Sequence, residues 1–513
     1  MGRIGKSFIP RKKIMRLEIN ALPKGLNNMG AIIAVLNKKD DNAKEVAVAM
    51  LKTLSIDKCA EAFGIASPQN LEIEKSVEAL RDKPIKSPVV IGYAFSKILA
   101  SDKPQPTMLK HATLVFDGRL YPSTADTSDV KIAAEKLQKN EENIEAFIRS
   151  VEGDFAFVIA EPKRLVAGRD IMGVRPLYYG ESADCIALAS ERKAIWKIGI
   201  KDTASFPPGH IAFINKNGFK FKPVKTLARS KAKPISMQEA LKKLEALLQR
   251  SVEERVSGLG EVAVAFSGGL DSSIIALLAK NSGINVKLIH VSLKNQPETQ
   301  HAEKAAEALE LPIYNYLYEE EAVAETLPKV LWLIEEPDPI NVSIGIPFCW
   351  VAEKAAKMKL KVLLAGQGAD ELFGGYRRYV NDYKRYGSER VQEIIFNDIV
   401  KMYENNLERD FKICNFHNVE LRLLFATYSM AKFAMSLSVE LKIKLVNEGM
   451  RKIVLRRFGA KLGLPRWITE RQKKAIQYAT GVNKILKKLA NSKGLSQKAY
   501  LQRTFQTLLK RKL

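Results

Sequence analysis

The stretch Val262-Ala263-Val264-Ala265-Phe266-Ser267-Gly268-Gly269-Leu270-Asp271-Ser272-Ser273 decides the fold of the half of the chain that carries it. Its first five residues are apolar and predict a strand, and Ser273 to Lys280 predicts a helix. A wholly apolar strand feeding a helix belongs to a parallel sheet covered on both faces. In such sheets ligands lie beyond the carboxyl ends of the strands, where Ser267 to Ser273 falls. Two glycines let backbone N–H groups approach an anion, the helix offers its positive N-terminus, and Ser267, Ser272 and Ser273 add hydroxyl groups. The loop is thus a phosphate cradle without the lysine of the P-loop. Asp271 inside such a nest makes sense chiefly when a divalent cation accompanies the phosphate. The alternative is a plain turn with Asp271 as a helix cap.

Outward from this stretch the texture repeats. Helices over Met237 to Val256, Thr299 to Leu309 and about Gly345 to Lys357 alternate with strands over Lys287 to Val291, Pro312 to Leu317 and Lys361 to Ala365. From about Val391 the pattern is mostly helical. Directly after the strand ending at Ala365 comes Gly366-Gln367-Gly368-Ala369-Asp370-Glu371-Leu372-Phe373-Gly374-Gly375-Tyr376. Its glycines let backbone crowd a ligand, and Asp370 joins Asp271 as a second strand-end carboxylate. Together they could clamp one or two Mg²⁺ ions on a pyrophosphate leaving group. Spacing alone leaves that open.

The rest of the chain reads differently. Residues 1–28 are a basic extension with Pro10 and Pro23 and no sustained period. The string Gly2 to Ser7 ends in Gly-Lys-Ser but lacks the glycine spacing of a P-loop, and no strand precedes it. From Met29, strands are expected at Ile32 to Leu36, Pro88 to Tyr93, Ala112 to Phe116, Phe155 to Ala160, Leu177 to Tyr179 and His210 to Ile214, with helices at Ala43 to Leu54 and Val130 to Lys139. This is an α+β layered domain ending near residue 225, followed by a basic linker over 226–236 and the sheet-bearing domain from 237 to 513.

At 513 residues the chain is long enough for two or three domains. No apolar run approaches the roughly 18 to 20 residues that span a bilayer, and no apolar signal core follows the basic start, so a cytoplasmic protein without a membrane role is expected. Cys59, Cys185, Cys349 and Cys414 form no Cys-x-x-Cys, which points to buried thiols rather than a zinc ribbon or disulfides. The formal charge of +25 permits nucleic-acid binding, but no aromatic-interleaved basic block accompanies it, and solvated surface charge is the plainer reading.

The two glycine-rich strings together resemble the glutamine-hydrolysing asparagine synthetase family. The resemblance runs from about Met29 to Gly481 and includes Glu336 to Pro339, Asn406 to Asp410, Val419 to Arg422 and Arg471 to Lys474. It implies an αββα, Ntn-hydrolase-like amidotransferase domain followed by an α/β ATP-pyrophosphatase domain with a helical C-terminal part, and a homodimer. The implied reaction adenylates the side-chain carboxylate of aspartate with ATP and Mg²⁺, releases pyrophosphate, and lets ammonia attack the aspartyl-AMP. Carried over by position, the loop Ser267 to Ser273 binds pyrophosphate, Asp271 and Asp370 hold Mg²⁺, and Lys473 neutralises phosphoryl charge. Ala265, Val291 and Gly366 contact the nucleotide mainly through backbone. Lys473 is otherwise a solvated lysine in a basic helix.

Several positions depart from the family. Gln367 stands where the family often has a glutamate proposed as a base, and an amide accepts no proton usefully. Amidotransferase scaffold strings survive at Phe63 to Ile65, Gly153 to Phe157, Arg169-Asp170, Gly173 to Tyr179, Ser190-Glu191 and Pro207 to His210. Its chemistry does not. Met29-Gly30-Ala31-Ile32 replaces the expected Met-Cys-Gly-Ile, Asp57 to Glu61 replaces the substrate-gripping His-Arg-Gly-Pro-Asp, and Asp117-Gly118 replaces the oxyanion-hole Asn-Gly. Cys59 is internal and cannot offer the α-amine of a terminal cysteine. Asp129 is the one candidate for a surviving glutamine-binding residue, and a helix cap explains it equally well. The expectation is an inactive glutaminase on an ammonia-dependent ligase. An adenylating ligase for another carboxylate and a basic, non-catalytic RNA-binding protein are the competing readings.

Overall fold

The computed structural model describes residues 30–55, 60–122, 126–137, 141–229, 234–445, 450–472 and 474–513. The string Gly2 to Ser7, Cys59 and Lys473 lie outside them. Among the described residues no helix is long and apolar enough to cross a membrane, and Cys185, Cys349 and Cys414 are free and buried.

The first half folds as two stacked antiparallel sheets between helices. One sheet has seven strands, with Ala31–Asn37 at its centre between Cys185–Ala189 and Val89–Phe95; the other has six, centred on Glu152–Glu161 and Arg164–Arg169. Alternation along Ala31–Asn37 shows why its run is continuously apolar. Ile32, Ala34 and Leu36 pack between the sheets against Ala156 and Val158, while Ile33 and Val35 pack outward against Val48 and Leu51 of the helix Lys44–Ser55. Phe116, Phe155 and Phe157 cover the far face of the second sheet beneath Phe147 and Ile148. With both faces of each sheet buried, the layers are α, β, β, α.

A capping box at Ser236 and Glu239 starts the helix Met237–Val256. Beyond it lies a five-stranded, wholly parallel sheet ordered Ile313–Tyr318, Asn285–Leu293, Glu261–Ala265, Val362–Ala365, Glu420–Leu423. The chain leaves the central strand towards one edge, returns, and adds strands on the other side. The carboxyl ends of Glu261–Ala265 and Val362–Ala365 therefore flank the switch in strand order, where a crevice forms.

The described chain beyond Val391 is mostly helical, as expected, and the strand Glu420–Leu423 interrupts it. Its alternation of Glu420 and Arg422 with Leu421 and Leu423 reads as a half-solvated segment, yet all four are buried. The polar face of this strand meets the first domain instead of water.

Candidate active site and the small cavity of the first domain

The strand Glu261–Ala265 ends where Gly268 turns the chain at φ +68° and Gly269 caps the helix Leu270–Asn281 with no side-chain hydrogen bond to its first N–H groups. A side chain at Gly268 would also meet Ala302 Cα at 2.9 Å. Ser272 Oγ donates to Gly269 O at 3.1 Å and lies 3.2 Å from Ser267 Oγ, and Gly268 O lies 2.8 Å from His301 Nε2. The loop is held from below, and the helix N-terminus remains free to receive an anion.

A cavity of about 790 Å³ opens over this turn and over the loop after Ala365. Ala265, Ser267, Gly269, Asp271, Ser272, Val291, Gly366, Gln367 and Asp370 all line it. Gly268 and Ser273 do not. Gly268 faces the helix Glu298–Ala308, and Ser273 is fully buried beneath the helix start. Arg471, Gln472 and Lys474, the neighbours of Lys473, line the cavity.

Between the two strand-end carboxylates stands a residue that no motif announced. Lys452 Nζ lies 2.5 Å from Asp271 Oδ2 and 2.7 Å from Asp370 Oδ1, with its side chain only 4% exposed. Burial lowers the pKa of this ammonium, against the pull of Asp271 in the other direction. Asp271 Oδ1 is buried and has no hydrogen-bond partner among the described residues. Two carboxylates with a spare oxygen suit Mg²⁺, which binds through one or two carboxylates together with phosphate and water oxygens. Among the described residues no group of three or more His, Cys, Asp or Glu side chains could hold a metal alone.

Further into the cavity, Gln367 Nε2 donates to Asp410 Oδ2 at 2.7 Å, and Asp410 is gripped by Arg409 at 2.7 and 2.9 Å. A glutamate at position 367 would set its charge against that of Asp410; the amide donates to it instead. Gln367 Oε1 is left buried without a partner among the described residues. Asn406 Nδ2 donates to Glu371 at 2.6 Å, and Tyr376 also bonds that carboxylate. The string Asn406 to Asp410 signalled this wall. Lys452, in Met450-Arg451-Lys452, reads as a surface lysine.

The corresponding cavity of the first domain is nearly filled. About 40 Å³ remains beside Gly30, Tyr93, Asp117 and Asp129, room for a few waters. A Cβ at Gly30 would lie 1.7 Å from Tyr93 Oη and 2.8 Å from Asp117 Oδ1. The Asp129 carboxylate accepts from Leu120 N at 2.9 Å and pairs with Arg119 at 3.0 Å. Arg119 also pairs with Asp102 and, through Nε, with Glu420 at 2.8 Å. Arg422 lies 2.6 Å and Arg175 3.7 Å from the same Glu420. Burial drives the Glu420 carboxyl up, but Arg119, Arg422 and Arg175 outweigh it and hold its pKa well below the carboxylate range. Burial raises Asp117 and Asp129.

Comparison with known proteins finds matches in both halves of the chain. The asparagine synthase family matches residues 243–387 and 380–512, and a glutamine amidotransferase domain matches residues 96–197. A Methanocaldococcus jannaschii chain named as glutamine-hydrolyzing asparagine synthetase 1 is 33% identical over 413 residues, spanning 71% of this chain and 76% of its own. Glutamine-hydrolyzing asparagine synthetase 2 of Arabidopsis thaliana is 27% identical over 420 residues, spanning 75% and 69%. With the paired aspartates and the glycine nest over a parallel sheet, these matches place the chain in the asparagine synthetase family, the carbon–nitrogen ligases that form asparagine by ATP-dependent amidation.

Proposed function

We propose that this chain amidates aspartate through an aspartyl-AMP intermediate and takes its nitrogen from free ammonia. The observation that carries the first part is the convergence of Asp271, Asp370 and the open helix N-terminus on one cavity at the switch in strand order. An aspartate carboxylate oxygen attacks the α-phosphorus of ATP, and the bond to pyrophosphate breaks. Ammonia's lone pair then forms the C–N bond, the acyl–oxygen bond to AMP breaks, and the surplus proton leaves with AMP or water. Asp271 and Asp370 would hold Mg²⁺, which would supply charge neutralisation on the departing pyrophosphate. The nest of Ser267, Gly269 and Ser272 orients that group, and Lys473 takes the role the family resemblance implies, neutralising phosphoryl charge. Ala265, Val291 and Gly366 seat the nucleotide. Gln367 orients ammonia through its unpartnered oxygen without acting as a base.

Ammonia dependence rests on Gly30. Neither a nucleophile nor glutamine has room beside Tyr93, and Asp129 is already neutralised by Arg119. Gly30→Cys is therefore expected to restore no glutaminase and to cost about 1–3 kcal/mol through overpacking. Glutamate release and the unfolding midpoint read both effects. Restored hydrolysis would refute the blocked pocket.

The decisive test is ATP–pyrophosphate exchange across candidate acids, followed by product analysis with ammonium or glutamine. Exchange is expected with aspartate, and asparagine and AMP are expected with ammonium but not glutamine. Exchange with another acid alone would reassign the substrate, and no exchange with any acid would favour a non-catalytic role.

A further inference from the structure

We propose that Lys452 is a resident counter-cation that makes divalent-metal binding at Asp271 and Asp370 conditional on the nucleotide. The inference rests on the reading of those two aspartates as the metal-holding pair.

Three features place the ammonium between them. Lys452 adopts φ +58°, a left-handed conformation that is uncommon for a residue with a side chain. Gly375 leaves the room, since a Cβ there would lie 2.4 Å from Lys452 Cε and 1.9 Å from Asp370 Oδ1. Arg451 fastens the strap from the neighbouring position by donating to Gly375 O at 2.8 Å.

An ammonium 2.5 Å from Asp271 Oδ2 and 2.7 Å from Asp370 Oδ1 already occupies the gap between the two carboxylates, and Asp271 Oδ1 is the oxygen left without a hydrogen-bond partner among the described residues. Mg²⁺ takes oxygen ligands at about 2.0–2.1 Å, so the two cations cannot share that point. The lysine and two carboxylates carry one net negative charge; a divalent ion entering alone at the spare Asp271 oxygen inverts it and meets the repulsion of the buried ammonium. No third carboxylate joins the pair among the described residues. Phosphate oxygens change the outcome, because they complete the metal's coordination and give the displaced ammonium an anion to face. Metal and nucleotide therefore enter together, and Lys452 passes from the carboxylates to the leaving pyrophosphate.

Mn²⁺ titration of the full-length protein, followed by loss of the free-ion electron paramagnetic resonance signal and corrected for the Mn²⁺ that the nucleotide analogue chelates in protein-free solution, tests this without catalysis. Wild type is expected to bind Mn²⁺ at least about tenfold more tightly with α,β-methylene-ATP than without it. Lys452→Met should bind Mn²⁺ alone at least about tenfold more tightly than wild type, whereas Lys452→Arg, which keeps the cation, should not. Equal affinity of wild type and a folded Lys452→Met for Mn²⁺ alone would overturn the proposal. If Lys452→Met fails to fold, equal wild-type affinity with and without the analogue overturns it instead. Absence of aspartate-dependent exchange alongside the expected Mn²⁺ behaviour would sink the amidation reading and leave Lys452's role standing.

Discussion

Replacing Asp271 by asparagine is expected to lower aspartate-dependent ATP–pyrophosphate exchange by about a thousandfold while leaving the protein folded. The change removes one of the two carboxylates proposed to hold the metal on the leaving group, and electrostatic stabilisation of this kind contributes roughly 4 kcal/mol to a barrier, about three decades in rate. Stability is expected to hold because Lys452 keeps its 2.7 Å contact with Asp370, and an amide oxygen at position 271 can still accept from the ammonium. Exchange rates measured beside the thermal midpoint separate the two effects. A variant retaining a tenth of the wild-type exchange would remove Asp271 from the metal-holding role.

Glu420→Ala should be the most destabilising single change in the domain contact, at about 3–5 kcal/mol, because it strands buried guanidinium groups that lose their shared partner. Arg119, Arg175 and Arg422 all meet this one carboxylate. The pH dependence has a definite sign. Because the folded pKa of Glu420 lies well below its unfolded value of about 4.5, the carboxylate's contribution is fully present above that unfolded value and fades as pH falls towards the folded one. Asp117 and Asp129, raised by burial, act in the opposite sense, so the informative quantity is the gap between wild type and Glu420→Gln. Denaturant midpoints should show that gap constant from pH 7 to about 5 and narrowing below about 4.5. A gap that widened on acidification would contradict the assigned pairing.

The sheet and the two loops that line the cavity were legible because the same residues that make a strand end also make the candidate site. Val262 to Ala265 is apolar on both faces, and the following glycines and Asp271 have no role in a buried strand. Glu420–Leu423 was not legible as a strand because its polar residues are matched by groups some 300 positions away, as with Arg119. Asp129 showed the same limit. Its place at the start of the helix Asp129–Leu137 was visible, but the guanidinium of Arg119 beside it was not. Lys452 is a harder case. Its meaning depends on Gly375, Asp271 and Asp370 meeting in space, and a lysine following Met450-Arg451 resembles many of the solvated lysines of a chain with 82 basic residues.

The buried helix Glu408–Phe416 joins these two halves. Asn415 Nδ2 reaches Gly30 O at 3.4 Å, and Asp410 holds Gln367. Five residues of helix span only about 7.5 Å, so the small cavity beside Gly30 and the proposed ammonia-accepting wall hang from neighbouring turns of one rod. On that rod Glu408 pairs with Arg169 and Lys412 bonds Tyr178, both partners from the first domain. The first domain thus serves the second as a fixed, preoriented solvent. Deleting it would replace matched dipoles and charges with bulk water around residues shaped for neither exposure nor an apolar core, which gives the first domain a structural reason to be kept, apart from any chemistry of its own.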